Sequence, residues 1–472
     1  MSNKSLAKNS IYNVIYCGFT ALFPLVSLSY ISRILMVDGI GKIEYARTVV
    51  TYFIIISTLG VPNYGLKTIA QTGDDLIKKS RAFWEIFYLK CFSTSVCSFA
   101  YYGFITMNSY FDGRRTLFYI MGSLLIFDVA NIDWYFQGND DYSYITKRSI
   151  AIKILSFIFI VIFVRNTDDY IKYALLNCFA FVGNYVFDML RIRKQVKFIP
   201  LNECDISKHV KAVLVLFGAT LATEIYTMLD SVLLEYFHGE VYVGYYTNSV
   251  KIVRFIYNLS IAMTAAFYPR ISLYIKDNNM KAANDLLSKG CKILIIFALP
   301  AAIGLFSVAD LIIPILLGDT FIPSIQCARV LSVLVIIFSF AASLGQTVLI
   351  ASGNENRILL ATTCGAAVNF ALNLLLIPQY KHNGAALASV IAEILVTVVM
   401  LTKSLQLIKI DISKRFINAV LLSSFFMFIV VKIIKSFALS AFLSLILCIL
   451  TGATTFFIFL FFLCQGKNFY LI

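Results

Sequence analysis

Charge is scarce in this sequence: 14% of its 472 residues are Asp, Glu, Lys or Arg, and there are only three His and two Trp. A soluble domain carries about 25% charged residues, so a chain this poor in charge is not built to be covered by water. The histidines, His209, His238 and His382, stand far apart, and the ten cysteines form no CxxC pair. Neither set has metal-ligand spacing, and no cofactor is expected. P-loops, nucleophile–base pairs and paired catalytic carboxylates are also missing, and the longest polar connections run to about 20 residues, which argues against an enzyme.

Apolar residues fill the gap, at 59% of the chain with a mean hydropathy of +0.81. A bilayer core of roughly 30 Å takes about 20 such residues per helix. The expected fold is an all-α integral membrane protein of about fourteen transmembrane helices, near 11–36, 44–64, 85–108, 116–137, 143–164, 169–190, 211–237, 241–268, 291–316, 322–351, 357–378, 384–406, 414–434 and 438–463. The polar start MSNKSLAKNS leads straight into the first of them and reads as a retained span. Pro24 and Pro300 fall inside apolar runs as candidate bends.

The net charge of +14 would suggest nucleic acid in a soluble protein, but here it fits membrane topology. With the N-terminus in the cytoplasm, the loops and tails on that side hold about 25 Lys and Arg against about 10 opposite, which places both termini inside. Nucleic acid is therefore not an expected partner.

Two internal echoes organise the chain. ISRILMVDGIGKIEYAR, residues 31–47, meets its own copy 200 residues on, with Gly39 on Gly239 and Tyr45 on Tyr245. FQGNDDY at 136–142 meets IASGNENR at 350–357, with Gly138, Asn139 and Asp140 on Gly353, Asn354 and Glu355. Matches in the same order imply duplicated halves: a six-helix lobe over 1–195, a basic linker over 196–210, a second six-helix lobe over 211–408 and a terminal helix pair over 409–472. An even helix count makes the repeats parallel around a central cavity, the plan of a transporter that rocks.

Four stretches, SRILMVDGIGKIEYARTVVTYF with YGLKTIAQ, DWYFQGNDDYSYITKRS, FYPRISLY, and IASGNENR with NLLLIPQYKHNGAALASVIAE, resemble the O-antigen and polysaccharide flippases (Wzx) of the multidrug, oligosaccharidyl-lipid and polysaccharide exporter superfamily. Trp134, Phe136, Gln137, Gly138 and Asp140 match the most specific element, while Lys67 stands where Arg is usual. The resemblance implies a bacterial inner-membrane flippase with a MATE-like fold. It would carry an undecaprenyl-diphosphate-linked O-antigen or capsule repeat unit from the cytoplasmic to the periplasmic leaflet. Membrane lipids, an O-antigen polymerase and a chain-length regulator are the implied partners. The competing readings are a drug or cation antiporter of the same superfamily, expected to have an acid-dominated cavity, and a membrane polymerase or glycosyltransferase.

A lipid diphosphate needs cations shielded from lipid, and a charge at mid-bilayer costs roughly 2.5–3.5 kcal/mol on insertion scales. Lys251 and Arg254, three apart and deep in the eighth helix, lead the candidates, with an ion pair to Glu224 as the alternative. Arg33 and Arg47 flank the first hairpin, and the resemblance implies diphosphate contacts for arginines on these helices. Either could instead snorkel to water. Arg329 and Lys153 complete the cationic set. Glu224, Asp128 and Glu393 are the deepest acids, candidates for ion coupling or for charge pairing. The charge-free terminal pair suits a groove for a polyprenyl tail, or a plain peripheral hairpin.

Overall fold

The computed structural model describes residues 3–73, 75–264, 267–437 and 439–464, without the side chains of 3–18, 20–21, 215–216 and 218–227. Among the described residues there are helices and no strand. Among the described residues, eight segments are long and apolar enough to cross a membrane. The chain forms two compact units, Met1–Met228 and Leu229–Ile472.

The first unit opens with α1, Asn3–Thr58, which reverses at Met36 (φ 54°, ψ −172°) and is therefore two helices in one continuous run. Pro24 sits inside the first arm without ending it. A Leu59–Gly60 turn of positive φ leads into α2, Val61–Thr72, a short amphipathic helix with Pro62 in its first turn. Next come α3, Leu76–Met107, and α4, Arg115–Phe127, whose helix breaks into a 3₁₀ turn at Asp128–Ala130 before α5, Asp133–Gly138. The unit continues with α6, Tyr142–Phe163, and α7, Tyr170–Ile192. Asp75 caps α3 by accepting from the Lys78 and Ile77 backbone N–H groups, which hold its carboxyl below the ordinary range.

Residues 193–206 do not float. Lys197 N–H donates to Ser80 Oγ (3.0 Å), Trp84 Nε1 donates to Lys197 O (3.0 Å), and Tyr88 Oη donates to Ile199 O (3.0 Å). Asp205 N–H then donates to Glu85 Oε1 (3.0 Å), so one face of α3 satisfies the backbone of the basic connection. Glu85 also meets Lys208 Nζ (2.7 Å) and His209 Nε2 (2.8 Å), and Tyr64 Oη lies 2.6 Å from His209 Nδ1.

The boundary of the two units falls inside α8, Ser207–His238. The second unit then repeats the plan with α9, Glu240–Ala262, the short α10, Tyr268–Lys276, and α11, Met280–Leu317, which runs through Pro300 and Pro314. Its fourth helix is also broken: α12, Ser324–Leu331, α13, Leu334–Phe340, a π-turn at Ala341–Gln346, then α14, Thr347–Ala351. The run α15, Glu355–Leu407, reverses at Lys381 (φ 55°). The hairpin of α16, Lys414–Lys435, and α17, Ala441–Leu463, packs on α11 through Val420, Met427, Val431, Phe456 and Leu460.

Turn geometry corrects the register of the second echo. Asp141 N–H donates to Phe136 O (2.9 Å) and Asn354 N–H to Leu349 O (2.8 Å), each five residues back. Each donor follows a residue of positive φ, Asp140 (56°) or Gly353 (69°). The equivalent of Gly353 is therefore Asp140, not Gly138.

The Trp-aromatic-Phe-Gln-Gly element is a packing device. Trp134, Tyr135 and Phe136 are buried. A Cβ added at Gly65 of α2 would stand 2.5 Å from the Trp134 ring, and one at Gly138 would stand 2.9 Å from Leu66 O and Ile69 Cβ. Two glycines thus let α2 and α5 touch. Trp134 also stacks on Phe83 of α3, with ring centroids 5.7 Å apart, and so belongs to the core.

Candidate functional site

In the first unit the expected cations take different places. Arg33 is exposed, one turn before the Met36 reversal. Arg47, half-buried, donates from Nη2 to Asn177 Oδ1 of α7 (3.1 Å) beside buried Glu44. Lys153 Nζ lies 5.9 Å from the centroids of both Phe19 and Phe23 on α1, a cation held over two rings. Asp128 is paired: Lys90 Nζ is 3.1 Å from its Oδ2, Asn131 Nδ2 donates to Oδ1 (2.9 Å), and Thr58 Oγ1 donates to Oδ2 (3.4 Å).

Lys90 was not legible as a partner, and neither was a second buried cluster. Arg148 of α6 meets Asp188 of α7 through Nη1, Asp133 through Nη2 (2.8 Å) and Asn184 Oδ1 through Nε (3.0 Å). One guanidinium thereby ties α5, α6 and α7 together.

In the second unit, Lys251 is half-buried and donates to Asn248 Oδ1 (3.3 Å) one turn back on α9. Arg254, one turn on, is exposed, and Glu393 of α15 is buried. Tyr257 of α9, one turn beyond Arg254, packs on Phe338 of α13. The side chain of Glu224 lies outside the described residues. Arg329 is committed elsewhere: its Nη2 is 3.5 Å from Asp310 Oδ1, which also holds Lys435 Nζ (2.6 Å). That trio pins α12 and α16 to α11.

Sequence reasoning also passed over Asp230 of α8. It is buried, accepting from Tyr246 Oη, Ser389 Oγ (2.9 Å) and Asn373 Nδ2 (2.5 Å), the last in turn bonded to Asn369 Oδ1 (3.0 Å). Every donor in this set is neutral, and among the described residues no Lys or Arg pairs with it.

The terminal pair encloses space. An apolar groove of about 380 Å³ runs between α11, α16 and α17, walled by Phe297, Pro300, Gly304, Met427, Gly452 and Phe457, with Ile256 of α9 closing one side. Ile256 lies roughly 160° round α9 from Arg254, so the groove meets the opposite face of the helix from the one that carries Lys251 and Arg254.

Two helical units, each with a short amphipathic helix after its second span and a broken fourth, make up a multi-pass helical membrane protein. A solved structure titled "Lipid II flippase MurJ, inward closed conformation" matches with a TM-score of 0.79 at 14% identity, over 98% of this chain and 99% of that one. An inward-facing multidrug resistance MATE family transporter matches with 0.64 at 13% identity, over 84% and 97%.

The chain belongs to the polysaccharide biosynthesis protein family, whose model matches residues 6–274; the model of the lipid II flippase MurJ matches residues 155–452. Curated proteins named "Putative O-antigen transporter" from Escherichia coli (strain K12) and Shigella dysenteriae are each 21% identical, over 84% of this chain and 96% and 99% of theirs. The resemblance to Wzx flippases and the all-α membrane fold are borne out.

Proposed function

We propose that this protein flips an undecaprenyl-diphosphate-linked repeat unit of O-antigen or capsule from the cytoplasmic to the periplasmic leaflet of the bacterial inner membrane, by alternating access of its two six-helix lobes, 1–195 and 211–408. Both termini lie in the cytoplasm in this reading. The observation that carries it is the surroundings of α9: Lys251 and Arg254 on one face of the helix, and a 380 Å³ apolar groove of α11, α16 and α17 against its other face at Ile256. A diphosphate needs the cations, a polyprenyl chain needs the groove, and a small hydrophilic drug needs neither in combination. Arg33 and Arg47 supply further cations on α1. The buried Asp230 set, neutral donors around one carboxylate, suits a coupling ion that enters and leaves during the cycle.

The test is complementation of a flippase-null strain that makes the cognate repeat unit. Wild type restores surface polysaccharide, and Lys251→Ala with Arg254→Ala at matched expression abolishes it. Full polysaccharide from the double variant sinks the site, and failure of wild type sinks the function.

A further inference from the structure

At one end of the first unit a polar cavity of about 440 Å³ opens between the start of α3, the α5–α6 turn and the end of α7. Lys79, Tyr135, Asn139, Asp140, Asp141 and Gln195 line it. Lys79 Nζ donates to Asn139 Oδ1 (2.6 Å), and Asp141 pairs with Arg191 (2.5 Å), so the wall is fixed by bonds between different elements.

The second unit has a cavity of about 310 Å³ in the equivalent place, between the start of α11 at Met280, the turn after α14 and the end of α15 at Leu407. Its only polar side chains are those of Asn278 and Ser352. Helix ends meeting at these turns therefore leave a void in both repeats, and of the two the first alone is lined with charged groups. One position makes the difference explicit. The turn residue of positive φ is Gly353 in the second unit and Asp140 in the first. Glycine takes that backbone at no cost and aspartate at a small one, so the first repeat accepts a mild penalty that sets a carboxylate at the cavity rim.

The lining decides the ligand class. A lipid tail finds only Leu76 and the Tyr135 ring among polar groups, and a diphosphate meets the carboxylates of Asp140 and Asp141 against the single ammonium of Lys79, Arg191 being paired with Asp141. Carboxylates, amides and an ammonium on one wall match a neutral group whose adjacent hydroxyls both donate and accept. The volume is that of a small-molecule pocket. We propose that this cavity binds a pyranose ring, and that the ring belongs to the glycan of the transported lipid, held at the cytoplasmic end before translocation. The second clause rests on the function proposed above.

The test uses the full chain in lipid nanodiscs and saturation-transfer NMR with the methyl pyranosides of glucose, galactose and N-acetylglucosamine. Wild type transfers saturation to ring protons of at least one of them. Asp140→Gly lowers that signal by about tenfold or more, the scale of a lost charged hydrogen bond. It leaves the melting temperature unchanged or higher because glycine relieves that penalty, and Gln195→Leu weakens the signal too. No transfer from wild type, or transfer untouched by both substitutions, overturns the proposal. Asp140→Gly is then expressed in the flippase-null strain. Reduced surface polysaccharide assigns the ring to the transported glycan; full polysaccharide with lost binding overturns that assignment. If wild type binds sugar yet does not complement, the flippase reading fails and the sugar site stands.

Discussion

Lys90 of α3 and Asp128, just past the end of α4, form an ion pair 3.1 Å long, with side-chain exposures of 1% and 6%. Lys90 also donates to the Asn131 carbonyl (3.0 Å), so the pair splints the break between α4 and α5. Removing one partner of such a pair leaves a buried charge uncompensated, at a cost of about 3–5 kcal/mol. Asp128→Asn should therefore lower the melting temperature in detergent markedly. The double change Lys90→Met with Asp128→Leu should recover most of the loss. A double variant no more stable than the single one would show that the pair is not what the fold depends on there.

The Gly65–Trp134 approach predicts a steric result. Gly65→Ala places a methyl 2.5 Å from a ring in a well-packed core, where overpacking costs about 1–3 kcal/mol. The companion change Trp134→Leu should restore part of that stability by making room. Expression level and melting temperature of the three variants measure this directly, and an unaffected Gly65→Ala would show that α2 and α5 do not touch at that point.

Much of this architecture was legible in the sequence, and the exceptions have physical causes. The helix ends expected at 36 and between 378 and 384 coincide with the reversals at Met36 and Lys381, because long apolar runs must turn once the bilayer is crossed. The short helices α2 and α10 were missed because VPNYGLKTIAQT and YPRISLYIK are amphipathic and too brief to register as spans. The breaks at Asp128–Ala130 and Ala341–Gln346 left the hydropathy pattern intact. Lys90 escapes notice because a third helix expected near 85–108 puts it in the second turn, whereas α3 begins at Leu76 and carries it to mid-helix. Lys251 and Arg254 stand out in the sequence by depth alone, and α9 holds the first half-buried and the second exposed. The commitment of Arg329 to Asp310 was not, since the partner lies 19 positions away on another helix.

Met36 takes a backbone of φ 54° and ψ −172°, a region that is essentially glycine's, at the reversal within α1. Such strain costs of order 1–3 kcal/mol. Met36→Gly should raise stability by about 1 kcal/mol, the strain relief exceeding the added chain entropy. Met36→Ala, which keeps the strain, should not. Equal melting temperatures for the two variants would remove the argument.

Arg329 and Lys251 should separate in function. Arg329 shares Asp310 with Lys435 on a partly exposed surface, where an ion pair contributes about 0–1 kcal/mol. Arg329→Gln should accordingly keep nearly full complementation with a small loss of stability. Lys251→Gln should cut complementation at least about tenfold, the weight of a lost charge-assisted contact to phosphate. Similar losses from both would spread the cationic site to α12.

Asp230 offers the sharpest test of coupling. Its oxygens accept from Tyr246, Ser389 and Asn373, and an asparagine keeps the shape and most of those bonds while removing the charge. A carboxylate placed here for stability alone gains little from being charged, since burial without a cation is costly and neutral donors serve an amide nearly as well. Asp230→Asn should then fold as well as wild type or better. If instead the charge attracts a coupling ion, the variant keeps its melting temperature and loses complementation. Wild type in proteoliposomes would respond to an imposed proton or sodium gradient, and Asp230→Asn would not. A variant that transports normally under both gradients would leave Asp230 as a packing residue and move the coupling role to another acid.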